Sequence, residues 1–169
     1  MRHLPARLLI TLLAVSGLSC AAERGTVLFV CTGNYYRSRF AEAVFNFKAR
    51  QRGLSWTAFS RGLNPTAKRP DNLSPFAVQE LRRLGIPLER PAASPRRLGE
   101  QDLRQARIVV ALDRVEHEPM LRAAFPAFDL SRLVFWNVKD IPLMSPDVAL
   151  PIIVREIDAL IARLAADRR

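Results

Sequence analysis

The sequence predicts an α/β fold: a single domain on a four-stranded parallel sheet, with helices on both faces and a flavodoxin-like strand order. Three observations carry this. Short apolar runs at Val27–Val30, Trp56–Phe59, Ile108–Leu112 and Leu133–Trp136 alternate with longer stretches of helical periodicity, the pattern of parallel strands joined by crossover helices. The first run is apolar at every position, as in a strand buried on both faces. The chain has 169 residues, 49% hydrophobic and 25% charged, which suits one globular domain.

Taken in order, residues 1–21 stand apart. Arg2 and Arg7 precede an apolar run, Leu8–Leu18, and small residues follow at Ser19, Cys20, Ala21 and Ala22. A basic start, a short apolar core and a small-residue site make a secretory signal, with cleavage expected after Ala21 and export to the bacterial periplasm. The run is short for a membrane span. Membrane attachment is expected only if this segment is retained or Cys20 is lipidated, and Gly17-Leu18-Ser19 is a poor lipobox.

Strand Val27–Val30 leads to a helix over Arg39–Arg52, with Phe40, Val44 and Phe47 on one face and Gly53 as its stop. Trp56–Phe59 is the second strand. Ser74 caps a second helix, Pro75 takes its first position and Gly85 ends it. Pro87–Pro95 reads as irregular, and Glu100–Ala106 as a short helix. Strand Ile108–Leu112, helix Val115–Phe125 and strand Leu133–Trp136 follow. A proline-rich loop, Asn137–Pro151, leads into a last helix, about Ala149–Ala165, which buries Ile153, Ile157, Leu160 and Leu164.

The formal charge is +10, and +8 without residues 1–21. Three of the 26 basic residues are lysine; this arginine excess reads first as a solvated basic surface and second as attraction for anions. No zinc-finger, helix-turn-helix or RNP-like signature accompanies it, so nucleic acid is not an expected partner. Past the leader, one cysteine and one histidine remain, which excludes an internal disulfide and a usual zinc site. No cofactor is implied. His117 reads as a surface residue of its helix, away from any Cys/His protease arrangement.

Chemistry concentrates in Cys31-Thr32-Gly33-Asn34-Tyr35-Tyr36-Arg37-Ser38. A buried strand runs into a thiol; five residues intervene; an arginine, a hydroxyl and a helix follow. Five residues can curl so that the N–H groups of Thr32, Gly33, Asn34, Tyr35 and Tyr36 form an anion-binding nest, with the helix N-terminus behind it. Gly33 and Asn34 tolerate the left-handed backbone such a turn needs. Arg37 offers a planar fork for phosphate oxygens, and the same field favours thiolate at Cys31. Ser38 can donate to the sulfur. Phosphate-ester hydrolysis through cysteine also needs an acid for the leaving oxygen. Asp140, in the loop after the fourth strand, is the leading candidate. Asp147 and Asp113 are its rivals, each with a plainer role at a helix start.

These residues resemble the low-molecular-weight protein-tyrosine phosphatases, whose signature is V-C-x-G-N-x-C-R-S-P running into A-E-A. Val30, Cys31, Gly33, Asn34, Arg37, Ser38 and Ala41-Glu42-Ala43 match it. Ser60-Arg61-Gly62, Leu84-Gly85-Ile86, Ile108–Arg114 and Val138–Asp140 resemble later family segments, so the likeness spans most of the chain after Gly25, within an expected domain of residues 22–169. It implies a phosphomonoester hydrolase acting through a thiophosphoryl-enzyme intermediate on phosphorylated protein or small phosphoesters. Cys31 is then the nucleophile, Arg37 the phosphate clamp, Asn34 and Ser38 the supports, and Asp140 the general acid. The chain departs from the pattern at several places. Tyr36 replaces a second loop cysteine and its protective disulfide. Arg39 replaces proline, and Tyr35 stands where isoleucine or threonine is usual. Ile141 follows the acid in place of proline, and Leu63–Ala67 lack an aromatic, so no rim for a phosphotyrosine ring is legible. Two alternatives stay open: arsenate reduction with external thiols, and a phosphate-binding module without catalysis.

Overall fold

Five successive buried residues, Val27 to Cys31, set the centre of the structure. They end β1 (Gly25–Cys31) in a computed structural model that describes residues 24–65, 71–88 and 93–167. The segment read as a leader, with Cys20, lies outside the described residues. β1 pairs in parallel with β2 (Trp56–Gly62) on one side and β3 (Ile108–Ala111) on the other, and β3 pairs with β4 (Leu133–Phe135). The sheet order is β2-β1-β3-β4, the flavodoxin-like order expected.

Side chains of β1 alternate between two cores, which is why the strand is apolar throughout. Val27 and Phe29 pack with α1 (Arg37–Gln51), α2 (Pro75–Arg83) and α5 (Pro146–Ala166). Leu28 and Val30 pack on the other face with Leu103 of α3 (Glu100–Gln105) and Leu121 of α4 (Arg114–Ala124). Phe29 also meets the Trp136 ring, with centroids 5.3 Å apart, just beyond β4. Among the described residues, no helix is long and apolar enough to cross a membrane.

Two boundaries differ from expectation in ways that matter for the site. α1 starts at Arg37, so Arg37 and Ser38 belong to its first turn and not to the loop. α5 starts at Pro146, inside the expected loop, and carries Pro151 within it. Proline at the first position costs nothing, while Pro151 removes one intrahelical bond. Burial of Ala149, Leu150, Ile153, Ile157, Leu160, Ile161 and Leu164 along one face outweighs that loss. The loop after β4 is thereby shortened and held close to the end of β1.

Candidate active site

Cys31 closes β1 at the carboxyl edge of the sheet, 2% exposed. The chain then turns back through residues 32–36 into α1. The left-handed residue of this turn is Asn34 (φ 48°), and Gly33 does not take that conformation. Asparagine tolerates the region because its side chain can bond locally. Here Nδ2 donates to Ser38 Oγ at 3.2 Å and to Ser60 Oγ at 2.8 Å, and Oδ1 accepts the Arg96 N–H at 2.8 Å. Ser60 Oγ in turn donates to Glu42 Oε2 at 2.6 Å.

Ser38 Oγ accepts from Asn34, so its own hydrogen is available for Cys31 Sγ, 3.0 Å away. Ser38 and Cys31 thus share one hydrogen bond, in which a sulfur that attacks as thiolate is the acceptor. Backbone bonds tie the loop to its surroundings. Leu63 N–H donates to Cys31 O (2.9 Å), Asn64 N–H to Thr32 O (2.8 Å) and Ser74 N–H to Tyr35 O (2.9 Å). Gly62 lies so close beneath that a Cβ there would stand 2.8 Å from Thr32 O and 2.9 Å from Asn34 N. The absence of a side chain is what admits the loop. No side chain caps α1 at Tyr36 and its first turn holds no acid, which leaves that helix end to an anion.

Arg37 is fully buried, and its guanidinium is gripped on several sides. Nη1 donates to Glu116 Oε2 at 2.8 Å and to Val138 O at 2.8 Å. Nη2 donates to Glu116 Oε1 at 3.0 Å and to Asp140 Oδ2 at 2.7 Å. Nε is buried and finds no acceptor among the described residues. Burial works against the Arg37 charge, but the Glu116 hydrogen bonds and the negative charges of Cys31, Asp140 and Glu116 outweigh it and raise its pKa further. The Glu116 carboxylate shows the same contest. Burial favours its neutral form, yet contacts with His117, Arg37 and Thr32, together with the Arg37 charge, hold it well below the usual carboxylate range.

Asp140 reaches Arg37 at the start of α1 from the segment after β4. Its Oδ1 accepts the Ile141 N–H at 2.8 Å, and its carbonyl accepts from Leu143 and Met144, so the segment curls around it. Asn137 (φ 52°) starts this turn. The Asp140 side chain remains 42% exposed at the mouth of the site. Its rivals take their plainer roles: Asp113 caps α4 by accepting the Glu116 N–H at 2.8 Å, and Asp147 is an exposed first-turn residue of α5.

One residue departs from the sequence reading, and two more carry features it did not address. His117 is fully buried and not on the surface, because α4 turns that face to the sheet; its Nδ1 accepts the Asp113 N–H at 3.0 Å. Tyr36 is also buried. Burial, then the nearby Asp140 charge, push its phenol up, so it stays neutral at working pH. Its ring meets the half-exposed Phe76 edge-on at 6.4 Å. Glu116 was not anticipated at all. Three positions after a capping aspartate it reads as an ordinary first-turn acid, and nothing local marks it as the partner of Arg37, 79 residues earlier.

The family model for low molecular weight phosphotyrosine protein phosphatase matches residues 26–133. The chain belongs to this family. This phosphatase is similar in structure to YfkJ from Bacillus subtilis, at 25% identity and TM-score 0.77, covering 88% of this chain and 99% of that one. The low molecular weight protein tyrosine phosphatase from T. tengcongensis is 28% identical at TM-score 0.65, covering 85% and 99%. YwlE arginine phosphatase from Geobacillus stearothermophilus, 22% identical at TM-score 0.69 and covering 85% and 95%, shares the fold. No curated protein sequence matches the chain. The enzyme is thus a cysteine-dependent phosphatase, with Cys31 buried at the base of its phosphate loop.

Proposed function

We propose that the enzyme hydrolyses phosphomonoesters on protein side chains, phosphotyrosine among them, with Cys31 as nucleophile, Arg37 as clamp and Asp140 as general acid. The observation that carries this is a set of three groups at the carboxyl edge of the sheet: a sulfur hydrogen-bonded to Ser38, a buried guanidinium, and a carboxylate 2.7 Å from that guanidinium. The thiolate attacks phosphorus, forming the S–P bond as the P–O bond to the leaving group breaks. The loop N–H groups of Thr32 to Tyr36 and Arg37 hold the equatorial oxygens. Asp140 hands its proton to the departing oxygen, then takes one from the water that cleaves the thiophosphate. Half-buried Tyr35 and the exposed Phe76, Ile141 and Leu143 offer apolar surface for the substrate where the family uses aromatic residues.

The test is a panel of aryl phosphate, phosphotyrosine peptide, phosphoarginine, sugar phosphate and arsenate, with the Cys31→Ser enzyme alongside. Hydrolysis of the aryl phosphate and the phosphotyrosine peptide, lost in Cys31→Ser, is expected. Turnover that survives the substitution, or turnover of phosphoarginine alone, overturns the reading. An arsenate-reducing thiol relay within the chain lacks a second cysteine among the described residues, and the arsenate arm of the panel, run with an external thiol, tests the remaining route. We propose as well that the enzyme is exported to the bacterial periplasm, supported by the basic, apolar and small-residue pattern of residues 1–21. A mature N-terminus at Ala22, read by mass spectrometry on the secreted protein, is expected. Finding Met1 retained in the cytoplasm would refute it.

A further inference from the structure

A guanidinium has five N–H donors, and the resting site engages four of those of Arg37. Two meet Glu116, one Val138 O and one Asp140. The Glu116 pair is end-on, spanning Nη1 and Nη2, and it leaves the Nε–Nη2 edge for a second bidentate partner. Of that edge, Nε is buried without an acceptor among the described residues and Nη2 is held by Asp140. A bidentate phosphate on this edge needs both positions.

Glu116 is itself held from more than one direction. Thr32 Oγ1, at the start of the phosphate loop, donates to its Oε1. His117 Nδ1 accepts a backbone N–H, which places the ring proton on Nε2; that buried atom lies 3.5 Å from the same Oε1 and makes no hydrogen bond among the described residues. A carboxylate so close to a phosphate site repels the substrate. Fixing the guanidinium plane is what such a group can do in return.

We propose that Glu116 is a positioning residue for phosphoryl transfer: its end-on pair aims the Nε–Nη2 edge of Arg37 into the loop. Substrate phosphate then takes the place of the Asp140 carboxylate on Nη2, which sets that carboxyl free toward the leaving oxygen. No bond to Glu116 changes during the reaction. The inference rests on the phosphatase reading above.

Glu116→Gln keeps the shape and removes the charge. Two measurements test it: kcat and KM on an aryl phosphate, and binding of inorganic phosphate to Cys31→Ser with and without Glu116→Gln, by calorimetry. Loss of aim should lower kcat by about tenfold or more. Loss of repulsion should leave phosphate bound several-fold more tightly. Glu116→Asp, which keeps the charge but is too short to span both nitrogens, should lower kcat without tightening phosphate. A kcat within twofold of wild type in Glu116→Gln overturns the proposal. So does a parallel fall of kcat, phosphate affinity and melting temperature, the mark of a purely structural ion pair. If the wild type turns over no phosphoester, the phosphatase reading fails alone. The calorimetry still decides Glu116: tighter phosphate in the Gln variant supports it, and unchanged or weaker phosphate refutes it.

Discussion

On the β2 flank the phosphate loop is held mainly by neutral groups, whereas on the β3–β4 flank it is held by charge. The β2 flank runs from Cys31 Sγ through Ser38 and Asn34 to Ser60, with Glu42 at its far end. The Asn34 amide donates to both hydroxyls and Ser60 donates onward to Glu42, so the bonds spread outward from Asn34 and fix the loop's shape. The opposite flank gathers Glu116 and Asp140 around the buried Arg37, with the Val138 carbonyl completing the shell. One side sets the geometry around the sulfur. The other carries the charges that a phosphate must rearrange on arrival. The contrast teaches that shape and charge are assigned to different strands of one sheet.

The largest effect should come from the centre, where the two flanks meet. Cys31→Ser should lower aryl phosphate turnover by about 10³-fold or more in steady-state assays, with the fold intact by circular dichroism. On the charged flank, Asp140→Asn should cost about 10²-fold on a poor alkyl leaving group and far less on a nitrophenyl one. An equal loss on both would remove Asp140 from the acid role. On the neutral flank, Asn34→Ala deletes three side-chain hydrogen bonds at a left-handed position. It should destabilise the protein by about 2–3 kcal/mol in denaturant titration. A change under half of that would show that the backbone bonds from Leu63 and Asn64 hold the loop unaided.

The smallest effect is a pH dependence that separates the flanks. Glu116 is held below its unfolded value, so its stabilisation is complete above the unfolded carboxylate pKa of about 4.3. It fades as pH falls from there through the lower folded value. The stability gap between wild type and Glu116→Gln, on the order of 1 kcal/mol, should be flat from neutral pH to about 5 and shrink below it. Thermal unfolding across that range checks the sign. For Asn34→Ala the corresponding gap should stay nearly constant, since neutral groups dominate that flank.

Much of this was legible before any coordinates. Continuous apolarity marked β1, because a strand between two helical layers has no solvent face. Cys31, Arg37 and Ser38 sit within one turn of chain, so their meeting is dictated by local geometry, and a short sequence window contains it. Asp140 was legible more weakly, as a lone acid at the carboxyl end of the last strand. What the window did not contain was the partner set of Arg37. Glu116 and His117 look like solvated helix residues, and α4 delivers them inward only because β3 lies beside β1 in the sheet. Gly62, likewise, is an ordinary strand glycine until the loop is seen packed on it. The sequence by itself determined the chemistry of the phosphate loop, since that depends on residues within hydrogen-bond reach along one turn. The tertiary structure alone decided how the loop's charge is balanced, since buried ion pairs across the sheet depend on strand order and leave no local pattern.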